Sequence, residues 1–193
     1  MTSQLKFFDG ADETAPPLPE GFRYRPELIG TAEEVALLAH VRQLPFREFE
    51  FHGHKGKRRV VSFGWRYDFS ARHLRKADDI PEYLHALRET AAAFAGLRPE
   101  EFQHVMVTEY SPGAGIGWHR DKGVFGEVVG ISLHAPCVLR LRRPAGERKW
   151  ERVNVTAAPR SAYFLSGQAR SVWEHSIPQV DALRYSITFR NLR

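Results

Sequence analysis

The chain has 193 residues, a length that favours one compact domain over two independent cores. Apolar residues make up 42% of it and charged residues 26%, which excludes a disordered chain, a coiled coil and a collagen-like fibre. Lysine and arginine outnumber aspartate and glutamate by 28 to 23, and the resulting net charge of +5 mildly favours a polyanionic partner.

No secretion signal is expected from residues 1–10, where Lys6 and Asp9 flank two phenylalanines and no long apolar run follows. No apolar segment reaches the roughly 20 residues that cross a membrane. The single cysteine, Cys137, cannot form an internal disulfide, so a metal site must use histidine, aspartate and glutamate. We therefore expect a cytoplasmic protein that is monomeric and has no membrane partner.

One folded domain, residues 22–193, is expected after an N-terminal extension, residues 1–21. Residues 9–19 are acidic and proline-rich, which is typical of a linker, and they follow a short strand-like segment, LKFFD. Within the domain, residues 22–103 are expected to form helices and a substrate lid, and residues 104–193 a β-sheet core.

Two amphipathic helices are predicted in the first half of the domain. The first begins at a capping box of Thr31 and Glu34 and ends before Pro45. Its predicted inward positions are Val35, Leu38, Val41 and Leu44. The second begins near Pro81 and ends at Gly96. Its predicted inward positions are Tyr83, Leu84, Leu87, Ala91 and Phe94.

A strongly basic β-hairpin is predicted between the two helices. FREFEFH alternates apolar and polar residues, HGHKGK supplies a turn, and residues 59–69 alternate again. Residues 52–76 contain eight lysines or arginines against one aspartate, a net charge of +7. With its interleaved aromatic residues, this composition is typical of a surface that binds phosphates and stacks a base. A hairpin with buried aromatics and a solvated cationic face would look the same.

From residue 104 onward, helical patterns give way to short strands. We predict eight, with the sequences HVMVTEY, GIGWHRD, EVVGISLH, PCVLRLRR, WERVNV, SAYFLS, RSVWEH and LRYSITFR. Two helices followed by eight strands indicate an α+β fold, in which helices pack outside an antiparallel jelly roll.

A candidate metal site is formed by His119, Asp121 and His175. On a strand, residues i and i+2 point to the same face, so His119 and Asp121 can reach one ion. His175, at the end of another predicted strand, would complete a two-histidine, one-carboxylate triad, which suits ferrous iron and leaves coordination positions open. Zinc would accept the same ligands.

The final predicted strand, residues 183–190, has one apolar face and one polar face. The polar face carries Arg184, Ser186, Thr188 and Arg190. A solvated outer face is the simpler interpretation. The alternative is that the two guanidinium groups, leaning toward each other, hold a small dicarboxylate between them, since guanidinium pairs bidentately with carboxylate.

The sequence resembles the AlkB family of iron(II)- and 2-oxoglutarate-dependent dioxygenases. The resemblance lies in TEYSPGAGIGWHRD with its His-x-Asp motif, in His175, and in RYSITFR near the C-terminus. It implies a double-stranded β-helix (jelly roll) with two N-terminal helices packed outside and a basic β-hairpin lid. It also implies decarboxylation of 2-oxoglutarate to succinate with dioxygen, coupled to hydroxylation of a substrate C–H bond; a hydroxylated N-methyl group then releases formaldehyde.

The resemblance also implies roles for individual residues. The implied iron ligands are His119, Asp121 and His175. Arg184, assisted by the Tyr110 hydroxyl, would bind the distal carboxylate of 2-oxoglutarate, and Arg190 the carboxylate that chelates iron. Ser186 stands near the cosubstrate where family members often have asparagine.

A modified nucleobase in alkylated or methylated DNA or RNA is the expected substrate, with oxidative demethylation the expected reaction. Candidate substrate-binding residues are Arg58, Arg59, Trp65 and Lys122, Trp65 because it lies where the family's base-contacting lid begins. The alternatives are an AlkB-like oxygenase acting on a protein or small molecule, a cupin-like zinc hydrolase or isomerase, and a non-catalytic basic barrel that binds nucleic acid.

Overall fold

The computed structural model describes residues 17–51, 54–68 and 71–193. Within these ranges the strands are β1 (Phe22–Arg25), β2 (Arg47–Phe51), β3 (His54–Phe63), β4 (Trp65–Asp68), β5 (His73–Lys76), β6 (Phe102–Tyr110), β7 (Ile116–His119), β8 (Phe125–Leu133), β9 (Cys137–Pro144), β10 (Trp150–Ala157), β11 (Ala162–Leu165), β12 (Glu174–Ile177) and β13 (Arg184–Leu192). The α-helices are α1 (Thr31–Val41), α2 (His85–Ala95) and α3 (Gly167–Ser171), and single 3₁₀ turns form at Glu82–Leu84 and Pro99–Glu101. The predicted strand LKFFD and residues 9–16 of the predicted linker lie outside the described residues.

Two antiparallel sheets pack face to face. The larger has seven strands in the order β1-β11-β8-β13-β6-β3-β2, and the smaller has four in the order β10-β9-β12-β7. Apolar side chains from both sheets, among them Val128, Leu139, Leu141 and Ile177, form the core between them. This is the jelly-roll arrangement that the sequence predicted. Each of the eight predicted strands overlaps one strand of the structure, β6 to β13 in order.

Helices α1 and α2 cover the other face of the seven-stranded sheet. Their buried residues, including Leu38 and Leu87, form a second core with Tyr185, Ile187 and Phe189 of β13. The central strand β13 is therefore buried on both faces, by helices on one side and by the smaller sheet on the other. Among the described residues, no helix has the length and apolarity needed to span a membrane.

The predicted capping box of α1 is wrong, and so is one position of its inward stripe, Val35; Leu38 and Val41 are buried and Leu44 packs against the same core. Gly30 occupies the N-cap position and no side chain caps the helix. Glu34 is buried instead, where it accepts the backbone N–H of His134 at 2.8 Å and pairs with Arg160 at 3.2 Å. Val35 is 63% exposed. The buried face of the helix therefore begins at a charged residue, Glu34, which the spacing of apolar residues cannot reveal. The helix ends at Val41, before Leu44.

The prediction for α2 is confirmed more closely. Leu84, Leu87 and Ala91 are buried, and Tyr83 and Phe94 pack against the same core. The helix ends at Gly96, whose φ of +76° is left-handed backbone that favours glycine.

The predicted continuous strand over residues 59–69 is wrong. It breaks at Gly64, where φ is +73° and a Cβ atom would collide with the carbonyl oxygen of Gln103. Strand β3 before the break joins the seven-stranded sheet through β6, whereas β4 after it pairs with β5 in a separate two-stranded hairpin. The basic segment is thus divided between the main sheet and this hairpin.

The predicted strand RSVWEH is only partly a strand. Its first two residues belong to the short helix α3, and β12 begins at Glu174. Strand β12 then lies between β9 and β7, with His175 directly opposite His119. This pairing brings two distant parts of the chain to one point on the smaller sheet.

Candidate active site

The structure brings together His119, Asp121 and His175. The two imidazole rings lie on neighbouring strands with their centroids 4.2 Å apart. Asp121 follows β7 by two residues, and one potential ligand atom from each of the three side chains lies within 4.8 Å of the others. Two imidazole nitrogens and a carboxylate at this spacing are a donor set for one divalent metal ion.

Arg190 holds the carboxylate of Asp121. Its Nε donates to Oδ2 at 3.2 Å and its Nη2 to Oδ1 at 3.4 Å, and both side chains are nearly buried. Burial alone would raise the pKa of Asp121, but the charge of Arg190 above all, and that of the two histidines once they are protonated, lowers it below its ordinary value. Asp121 is therefore a carboxylate at neutral pH, the form that binds a metal.

Both histidines of the cluster are neutral at neutral pH. Burial lowers the pKa of His119, with the Asp121 charge opposing the shift. Burial and the neighbouring His119 lower the pKa of His175 to about 3. Nδ1 of His119 lies 2.9 Å from the carbonyl oxygen of Gly117, and a proton held there leaves the Nε2 lone pair for a metal.

Arg184 is a buried cation with unpaired donors. The side chain is 1% exposed, and its Nη2 donates to Ser132 Oγ at 3.1 Å. Its Nε and Nη1 have no hydrogen-bond partner among the described residues, and its Cζ lies 4.6 Å from the centre of the Tyr110 ring. Leaving such donors unpaired costs free energy, so this environment suits a bound carboxylate.

A cavity of about 1090 Å³ lies beside the metal cluster. Its lining includes all three residues of the cluster together with Tyr110, Ser186, Thr188 and Arg190. Arg184 is not among the lining residues, although its neighbour Tyr110 is. The polar side chains of β13 face the space between the sheets and are buried, so the solvated-face interpretation of this strand is wrong.

The four candidate substrate residues lie in different places. Arg58 and Lys122 line the cavity, and Nζ of Lys122 lies 5.6 Å from the ring of Tyr67, which also lines it. Arg59 points to the opposite side of β3 and pairs with Glu109 at 2.6 Å. The ring centre of Trp65 lies 5.1 Å from Nζ of Lys76, and Trp65 does not line the cavity. Of the residues of β4, Arg66 and Tyr67 line the cavity.

Two residues near the site were missed by sequence reasoning. His104 is buried beside Arg190, with Nδ1 3.5 Å from Nη1. Tyr163 lines the cavity and fills the space above Gly130, where a Cβ atom would collide with its ring. A lone glycine inside the predicted strand EVVGISLH was the available signal, since such a glycine indicates a close approach.

Arg170 was also missed, because it was predicted as the first residue of the strand RSVWEH and not as part of a helix. It is buried and donates to three backbone carbonyl oxygens, those of Lys122 (2.9 Å), Phe125 (2.7 Å) and Gly126 (2.7 Å). These bonds fix the segment that follows Asp121.

Comparison with known proteins identifies the family. The sequence model described as "2OG-Fe(II) oxygenase superfamily" matches residues 21–190. The chain belongs to this superfamily. The prediction of an iron(II)- and 2-oxoglutarate-dependent oxygenase is thereby confirmed at the level of the family, and the family implies Fe(II), 2-oxoglutarate and dioxygen as its cofactor and cosubstrates.

Curated relatives confirm the AlkB resemblance. The chain is 25% identical over 193 aligned residues to "Alkylated DNA repair protein ALKBH8 homolog" of Arabidopsis thaliana, covering 87% of this chain and 54% of the relative. It is 26% identical over 167 residues to "tRNA (carboxymethyluridine(34)-5-O)-methyltransferase ALKBH8" of Mus musculus, covering 83% and 24%. The chain thus spans about half or less of these two relatives.

Solved structures confirm the fold class. "The structure of OsALKBH1" superposes with a TM-score of 0.67 at 16% identity, covering 91% of this chain and 98% of that one. A prolyl-4-hydroxylase of Pseudomonas putida gives a TM-score of 0.60 at 15% identity, covering 90% and 93%. At these identities the likeness establishes the shared double-stranded β-helix alone.

Proposed function

We propose that the protein is an AlkB-type dioxygenase that hydroxylates a modified nucleobase in DNA or RNA, and demethylates it where the modification is an N-methyl group. The observation that carries this proposal is a cavity lined by a His-Asp-His donor set and by Tyr110, against whose ring a buried, partly unpaired arginine packs. A zinc hydrolase or isomerase would use the same three ligands but has no need for Arg184.

In this proposal His119, Asp121 and His175 hold the iron. Arg184 binds the distal carboxylate of 2-oxoglutarate at the Tyr110 end of the cavity, where its unpaired Nη1 donates a charge-assisted hydrogen bond. Arg190 keeps Asp121 ionised and oriented, and its remaining N–H donors bind the second carboxylate. When bound, iron, 2-oxoglutarate and dioxygen would supply the oxidising chemistry: dioxygen is the oxidant, one of its oxygen atoms passes to the substrate and the other to succinate, and carbon dioxide is released.

The protein's own contribution is to position the reactants and exclude water. The walls of the cavity between the sheets carry Tyr110 and Phe125, both nearly fully buried. Arg170 holds the segment after Asp121 through its three backbone bonds. A site fixed in this way keeps its ligands close to their productive geometry.

A nucleic-acid substrate is supported by charge at the cavity mouth and by the relatives. Arg58, Arg66 and Lys122 line the cavity together with the aromatic ring of Tyr67. Cationic side chains bind phosphates and an aromatic ring stacks on a base, whatever the nucleotide sequence. The names of the relatives refer to alkylated DNA and to tRNA. Both are nucleic acids, and we extend this substrate class to the present chain.

Formaldehyde and succinate release tests this function. The protein, loaded with Fe(II) and 2-oxoglutarate in air, is offered N-methylated DNA, RNA and peptide of matched concentration. We expect release with at least one nucleic acid and not with the peptide. Asp121→Ala should abolish it, by about 100-fold or more, because the iron loses a ligand; Asp181→Ala, at an exposed position, is the matched control.

Each other outcome has a definite meaning. Release from the peptide alone would show that the substrate class is wrong. Tight oligonucleotide binding that survives Asp121→Ala, with no release from any substrate, would indicate the non-catalytic binding barrel.

A further inference from the structure

The outer face of the four-stranded sheet carries a row of arginine and tryptophan side chains. In the register of the sheet, Arg142 of β9 lies opposite Arg152 of β10 and Glu174 of β12, so the three share a face. The intervening residues of β9, Leu139 and Leu141, point into the core. We call the row of Trp118, Arg140, Arg142, Trp150 and Arg152 the arginine–tryptophan face.

Two indole rings sandwich the guanidinium of Arg142. Its Cζ lies 4.1 Å from the ring centre of Trp150 and 4.3 Å from that of Trp118. Glu174 Oε2 accepts from Nε and from Nη2 of the same arginine, both at 2.7 Å. These contacts hold the two rings and the guanidinium in place before any ligand arrives, which lowers the side-chain entropy lost on binding.

Two more arginines extend the row. Cζ of Arg140 lies 5.0 Å from the Trp118 ring, and its Nε donates to Ser176 Oγ at 3.0 Å, which leaves its terminal donors available. Arg152 is exposed, and its side chain has neither an ion pair nor a hydrogen bond to any residue that the structure describes. Three arginines against Glu174 give this face a net charge of +2.

The face is continuous with the active-site cavity. Trp118 and Ser176 both line the cavity that contains the metal cluster, and Trp118 directly precedes His119. From β7 to β10 the row crosses three strand spacings, about 14 Å. That width accommodates a few stacked nucleotides at about 3.4 Å each.

We propose that the arginine–tryptophan face binds single-stranded nucleic acid, holding the nucleotides that flank the one in the cavity. This inference rests on the proposed nucleic-acid substrate and extends it to a second contact surface. Trp150, 37% exposed, stacks a base, while Arg152 and the free donors of Arg140 bind phosphates. Flat sheets with exposed aromatic rings and cations bind single strands in this way without sequence preference.

Oligonucleotide binding over a range of salt concentrations tests the proposal. Fluorescence anisotropy is measured with labelled single strands of about three and about twelve nucleotides, within the site sizes of single-strand binding folds. Arg152→Glu should weaken binding of the longer strand about three- to tenfold and flatten the salt slope by about 0.7, the value for one phosphate contact. Binding of the shorter strand should stay within about twofold of wild type.

The tryptophan variants report on stacking separately. Trp150→Ala should weaken binding of the longer strand about fivefold or more with little change in salt slope, and Trp150→Phe should restore most of it, because the ring is retained. Arg42→Glu is the matched control for charge, since Arg42 is exposed beside α1 on the opposite side of the molecule.

The outcomes separate this inference from the proposed function. If wild type binds the longer strand and Arg58→Gln weakens it, but the variants at 150 and 152 bind like wild type, the face has no such role and the proposed function stands. If wild type binds neither strand, both this inference and the nucleic-acid substrate are overturned.

Discussion

Among single residues, Arg184 constrains the chemistry of the cavity most. A guanidinium that is 1% exposed and has two nitrogen atoms without a partner in the described part of the chain is destabilising unless an anion satisfies it. The ring of Tyr110 packs against it and closes one side. The unpaired nitrogen atoms are charged, directional donors, which suit a carboxylate.

Arg184→Lys should therefore impair use of 2-oxoglutarate while leaving iron binding intact. Lysine keeps the charge but lacks the planar guanidinium with its fixed N–H donors, and we expect the KM for 2-oxoglutarate to rise about 10- to 100-fold. The measurement is succinate formation against 2-oxoglutarate concentration, with Fe(II) affinity measured in parallel. Arg42→Lys, at an exposed position, should behave as wild type. An unchanged KM in Arg184→Lys would refute the role.

Buried histidines make the stability of the metal-free protein depend on pH. Burial lowers the pKa of His104 well below its ordinary value, and it lowers that of His175 to about 3. Unfolded histidine titrates near pH 6.5, so between about pH 6.5 and 3 the unfolded state binds more protons. The free energy of unfolding should therefore fall as the pH falls through this window.

The residue to change is His104, which is not a proposed metal ligand. In the presence of a chelator, His104→Gln should give a flatter dependence of unfolding free energy on pH between 6.5 and 4, by at most about 1.4 kcal/mol per pH unit. Denaturant titrations at several pH values measure this. His85→Gln, at an exposed histidine, should keep the wild-type slope; an unaltered slope in His104→Gln would contradict the account.

At the scale of elements, the strands could be predicted well and the irregular connections could not. Segments with alternating or continuous apolar patterns, bounded by Gly, Pro, Asn and Ser, form strands β6 to β13 in the structure. The errors arose where one residue made a long-range contact. Glu34 pairs with Arg160, far along the chain, and Gly64 packs against the backbone of Gln103. No local pattern contains that information.

Gly64→Ala should show how much the break between β3 and β4 depends on glycine. A Cβ atom here would meet the carbonyl oxygen of Gln103 on left-handed backbone, so we expect a loss of about 2–4 kcal/mol in unfolding free energy. Gly96→Ala is the matched comparison, with a similar φ of +76° but nothing within 4 Å, and should lose only about 1 kcal/mol. Denaturant unfolding measures both; equal losses would show that the contact with Gln103 is unimportant.

At the scale of the whole molecule, the function depends on a sheet that is covered on both faces. The polar side chains of β13 are buried between two sheets while its apolar side chains face the helices. That Arg184 and Arg190 share a face could be predicted from alternation along the last strand, whereas the grouping of His119, Asp121 and His175 was predicted from the His-x-Asp spacing together with the family resemblance. Tyr163, Arg170 and the stacked Arg142 could not, since their partners come from elements distant in the chain.

The central claim, that His119, Asp121 and His175 bind one Fe(II) beside a site for 2-oxoglutarate, is tested most directly by anaerobic titration. Fe(II) and 2-oxoglutarate are added to the metal-free protein, and the visible absorption spectrum is recorded. We expect a weak charge-transfer band in wild type and in Asp181→Ala, and its loss in His119→Ala and Asp121→Ala. Absence of the band in wild type with Fe(II) bound, or its persistence in Asp121→Ala, would contradict the account.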